Sequence, residues 1–94
     1  MKRERAETIG LMALAHLATD EDLLHRFLSE SGMDGDDLRR AAGDPATLGG
    51  VLDFILGDEA RVLAFAAAAG LAPEEALRAR YALPGGSPGD RGAL

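Results

Sequence analysis

Glycine followed closely by an acid or a proline recurs along the whole chain: Gly32 before Asp34, Gly43 before Asp44 and Pro45, Gly57 before Asp58, Gly70 before Pro73. Glycine ends helices, because it enters the left-handed conformation at little cost. Asp, Thr and Pro open them, by accepting free N–H groups or by pre-setting φ. The stretches between these marks hold only short helices. The spacing predicts six: from about Glu4 to Ala18, from Thr19 or Asp20 to Gly32, from Asp34 to Gly43, from Asp44 to Gly57, from Asp58 to Gly70, and from Pro73 through Tyr81. The acidic pair Asp58 and Glu59, placed where one helix stops and the next begins, is expected to serve the N-terminus of the later one. There it meets unpaired N–H groups and the positive end of the macrodipole.

Few residues favour strands. Aromatics make up 4% of the 94 residues, two valines and two isoleucines are present, and apolar and polar positions do not alternate. The expected fold is all-α, a bundle of five or six short helices forming one domain over residues 1–83. A Gly- and Pro-rich segment, 84–94, is expected to be a disordered tail. Apolar residues point almost all the way round the first helix, which predicts a central position for it. The expected core is Ile9, Met12, Leu17, Leu24, Phe27, Leu28, Leu38, Val51, Leu52, Ile55, Val62, Phe65, Leu71 and Leu77.

An offset of 38 residues sets Asp20 on Asp58, Phe27 on Phe65, Gly32 on Gly70 and Asp37 on Glu75, so that cap, core aromatic, helix stop and next helix start coincide. Two readings are open. The chain is two three-helix units, or helix-turn-helix segments simply share caps and stops. The first requires both rings, Phe27 and Phe65, to be buried and the two units to superpose.

Charge and residue types narrow the function classes. The formal net charge is −6, and Lys2, Arg3 and Arg5 take three of the ten bases into the first five residues, which leaves the body acidic. Phosphate-backbone binding depends on clustered Lys and Arg, so nucleic acid is disfavoured. The alternative that retains it is a helix-turn-helix regulatory protein with Arg39 and Arg40, or Arg78 and Arg80, as contacts. The absence of cysteine fits a reducing cytoplasm. The start of the chain does not read as a signal peptide, and its longest apolar run, 62–72, is about half of the ~20 residues a membrane span needs.

No metal site or cofactor site is expected. His16 and His25 stand on different predicted helices, and Glu21 with His25 supplies two ligands at most. The acidic run Asp34 to Asp37 fails as a calcium loop, because Arg39 falls sixth and Pro45 twelfth. The glycines before Val51 lack the Lys and Ser or Thr of a phosphate loop.

The central stretch Leu52 to Glu59 (LDFILGDE), with Phe65 and Gly70 after it, and Phe27, Leu28, Ser31 to Asp34 and Asp36 to Arg39 before it, resembles a family of short proteobacterial proteins described as a domain of unknown function. The resemblance covers about residues 5–83. It implies a small helical fold, and no activity, ligand or catalytic residue.

Asp53 interrupts an apolar helix. In projection it lies with Ala46, Gly49 and Gly50, opposite Leu48, Leu52 and Ile55. Glycine inside a helix costs about 1 kcal/mol relative to alanine, so two of them call for a reason. One is a seam where another backbone comes close and Asp53 bonds a partner group; the plainer one is an exposed face. The four residues are the candidate interaction surface. The expected function is a non-catalytic module that binds a protein partner or itself.

Overall fold

The computed structural model describes residues 1–85. Six helices follow in order: α1 (Arg3–Ala18), α2 (Glu21–Ser31), α3 (Gly35–Ala41), α4 (Pro45–Leu56), α5 (Glu59–Ala69) and α6 (Pro73–Tyr81). Each boundary falls within a residue or two of the predicted one, and the fold is all-α. Of the expected tail, only Pro84 and Gly85 lie inside the described residues.

Side-chain caps make the boundaries. Asp20, Asp34, Asp44 and Asp58 each accept backbone N–H groups of the helix they precede, Asp58 from Ala60 at 2.8 Å and Arg61 at 3.4 Å. This is the role expected of the acidic pair, with Glu59 in the first turn behind the cap. Gly32 and Gly70 close α2 and α5 at φ 76° and 70°, which other residues adopt only with strain. Gly57 differs from the expectation. Its φ is −70°, so α4 stops because Asp58 opens a new helix and not because glycine turns left-handed.

α1 is the central element. Ala6, Ile9, Gly10, Ala13 and Leu17 are buried along one side, and the helix packs against α2, α4, α5 and α6. Its closest crossing is with α4: a Cβ placed on Gly10 would lie 2.8 Å from the Cβ of Leu48. Neither atom can rotate away, so Gly10→Ala forces the two helices apart. We expect an overpacking cost of about 1–3 kcal/mol to exceed the gain of about 1 kcal/mol in helix propensity. A lower melting temperature for this variant is the check.

The core takes in most of the expected residues, with Met12, Leu24, Leu28, Val62 and Leu71 half-buried around its edge. Leu77 is a correction. It is 43% exposed, because α6 turns the small residues Ala76 and Ala79 inward and carries Leu77 and Tyr81 outward. Small side chains let α6 approach α1 and α4 closely. Leu48, Phe54, Ala66 and Leu83 join the core, as do Ala6, Ala13, Ala76 and Ala79.

Both Phe27 and Phe65 are buried, as the repeat requires. Phe27 meets Phe54 edge-on with centroids 5.5 Å apart, while His16 meets Phe65 at 5.6 Å. With the offset of 38, His16 corresponds to Phe54 and Phe27 to Phe65, so the two contacts are one contact made twice, each between halves. Reciprocal pairing of this kind is what two-fold related units produce. Gly10 and Leu48, which touch, are likewise 38 apart, as residues beside such an axis would be. The last helices depart from the pattern. α6 packs on α1, α4 and α5, whereas α3 packs broadly on none of the other helices and buries Leu38 alone.

Candidate functional site

The four candidate residues on α4 divide between two environments. Gly49 is buried and faces Arg80 of α6: a Cβ there would lie 2.7 Å from Nη1 and 3.5 Å from the Pro84 carbonyl oxygen. Asp53, one turn on, receives a two-pronged bond from the same guanidinium, Nε donating to Oδ1 at 2.6 Å and Nη2 to Oδ2 at 3.0 Å. Nη1 donates to the Pro84 oxygen at 2.9 Å. The seam is therefore real at Gly49 and Asp53, and it lies within the fold. What approaches is mainly a guanidinium, with one backbone carbonyl beside it. The planar fork matches a carboxylate, which explains why arginine suits this place.

Ala46 and Gly50 fit the plainer reading. Ala46 is exposed, and nothing stands within 4 Å of a Cβ built on Gly50. Both border an open cleft of about 550 Å³ between α2 and α4. Phe27, Phe54 and Met33 contribute its apolar part, with Glu30 and Asp53 among its polar residues. Ser31, also in the wall, is engaged locally: its hydroxyl donates to the Leu28 carbonyl at 3.3 Å and accepts from the Met33 N–H at 3.2 Å.

A second cleft, of about 310 Å³, lies between α1 and α5. It is the counterpart of the first. Phe27, Glu30, Ser31, Gly50, Asp53 and Phe54 line one; 38 residues away in sequence, Phe65, Ala68, Ala69, Met12, Ala15 and His16 line the other. No sequence pattern announced either cleft, since each is assembled across the two halves.

Two arginines, Arg80 and Arg61, tie elements of the fold together. Arg80, a suggested nucleic-acid contact, is only 7% exposed and is spent on Asp53. Arg39 and Arg40 pair with Asp36 and Asp37 on α3. Arg61 donates to the Phe54 carbonyl at 2.8 Å and lies 4.0 Å from that ring's centroid, which ties the start of α5 to the end of α4. Among the described residues no three His, Cys, Asp or Glu side chains converge as metal ligands. None of the described helices is long and apolar enough to cross a membrane.

An all-α domain of six short helices is the class that these observations define. The chain belongs to the family described as protein of unknown function DUF3572, which it matches over residues 3–86. No curated protein and no solved structure matches it.

Proposed function

We propose that this protein is a small non-catalytic interaction module, cytoplasmic, that engages a protein partner through the cleft between α2 and α4. The observation that supports this is the cleft itself: it is open, mostly apolar in its walls, and broad enough at about 550 Å³ to receive side chains of a partner. Support for a non-catalytic role comes from the commitments of several of its polar groups. Ser31 is committed to local backbone bonds, no histidine is among the lining residues, and Asp53 neutralises Arg80. A lack of cysteine in all 94 residues is in keeping with a reducing compartment.

The reading is tested by photo-crosslinking in the native cell. A benzophenone side chain replacing Ala46, on the lip of the cleft, is expected to capture a defined protein, and the same group at Ala67, exposed on α5, is not. Equal capture from both positions, or none from Ala46, counts against it. Tight, salt-dependent binding to duplex DNA would instead favour a helix-turn-helix regulator.

A further inference from the structure

The two counterpart clefts differ at five of their six matched positions, and three of the five remove a long side chain or add a carboxylate. Where the smaller cleft has Met12, the larger has Gly50; where it has Ala15 and Ala68, the larger has Asp53 and Glu30. Relative to its twin, the α2–α4 cleft has a side chain removed and two carboxylates added.

Neither Gly50 nor Glu30 has a reason inside the fold. Gly10 and Gly49 are glycine because Leu48 and Arg80 occupy the space of a side chain, but the space beside Gly50 is open. Glycine in the middle of α4 weakens the helix and returns nothing to the folded chain. Glu30 is as anomalous. Among the described residues four acids cap helices, eight sit in first turns where the macrodipole favours them, and Glu7 and Asp53 are ion-paired. Glu30 alone does none of these. It stands in the last turn of α2, at the negative end of the dipole, with no ion pair and with no basic residue in that turn. Both misfit residues border one cleft.

We infer that the α2–α4 cleft receives an amphipathic helix of a partner protein, its apolar side chains over Phe27, Phe54 and Met33 and a lysine or arginine beside Glu30. This rests on the interaction-module reading above and specifies the partner. Gly50, one turn from Ala46, leaves room for a helix to lie close, as in helix-in-groove recognition. The charge at Glu30 and the net charge of −6 both attract a cationic segment and steer its approach. Of the cleft's two acids Asp53 is spent on Arg80, so Glu30 carries the attraction for a cation.

The experiment uses two fluorescent 18-residue helical peptides, one of leucine and lysine, the other of leucine and glutamate, titrated with the full chain at physiological salt and read by anisotropy. The lysine peptide is expected to bind and the glutamate peptide is not. Three variants locate the binding. Gly50→Met, which installs the twin cleft's residue, is expected to abolish it; Glu30→Ala, also the twin's residue, weakens it about tenfold; Gly50→Ala raises the melting temperature while weakening binding. A melting curve for each variant separates loss of binding from loss of fold. Binding of the lysine peptide that is unchanged in Gly50→Met, or no binding at all, overturns the inference. If both peptides bind and Gly50→Met removes both, the cleft takes helices without regard to charge: the cationic partner is then wrong while the interaction module survives. Self-association by light scattering that disappears in Gly50→Met makes the occupant a second copy, and also overturns it.

Discussion

Phe65→Ala is expected to lower the unfolding free energy by about 3–5 kcal/mol. Its ring has no exposed surface and forms one of the two ring contacts between halves, against His16. A domain of this size holds only about 5–15 kcal/mol in total, so the loss is a large share of it. Urea unfolding followed by circular dichroism gives the number. Leu77→Ala is the matched control: a large apolar residue from the expected core that the fold leaves outside, expected to change stability by less than about 0.5 kcal/mol. Similar costs for the two would contradict the arrangement of α6.

The second large effect concerns Asp53. Asp53→Ala leaves the Arg80 guanidinium, whose side chain is 9% exposed, without its carboxylate. Breaking a fully buried pair costs about 3–5 kcal/mol. The Asp53 side chain is 43% exposed, so solvent screens that end and the expected loss is smaller, about 1–3 kcal/mol. Arg80→Met should be milder, since it removes the buried charge, keeps the stem's packing and leaves a carboxylate that water reaches. The double variant, Asp53→Ala with Arg80→Met, is then expected to be more stable than Asp53→Ala alone. Denaturant midpoints for the cycle decide it: additive losses would mean that the two residues act separately.

Legibility differed sharply between levels. Helix boundaries could be read in the sequence because caps and stops act within a few residues: Asp58 serves N–H groups two and three positions ahead, and Gly70 needs only its own φ. The general composition of the core was legible for the same reason, since burying large apolar residues is required whatever the packing. Individual faces were harder. Leu77 and Ala76 are neighbours on α6, and which of them points inward depends on how closely α6 approaches α1. The larger side chain lost to the one that permits close packing.

The site was legible only as an anomaly. Gly49, Gly50 and Asp53 stood out because local propensity gave them no purpose, and Ala46 joined them by position. Projection along one helix put them on a single face, yet Gly49 and Gly50 serve opposite ends of that face. Arg80, 27 residues from Asp53, is what separates them, and no local signal links the two. Glu30 could have been flagged from its position alone, as an acid at the wrong end of a helix, once the boundaries were drawn.

By itself the sequence determined the helices, their ends and the acidic character of the domain, because these follow from composition and from interactions between residues a turn or two apart. Tertiary structure decided that the two ring contacts are reciprocal, that Arg80 is an internal strut, and that the larger of two counterpart clefts carries Glu30 at its edge. Those outcomes depend on which side chains come together from distant parts of the chain, and the shape and charge of a shared surface exist only once both sides are in place.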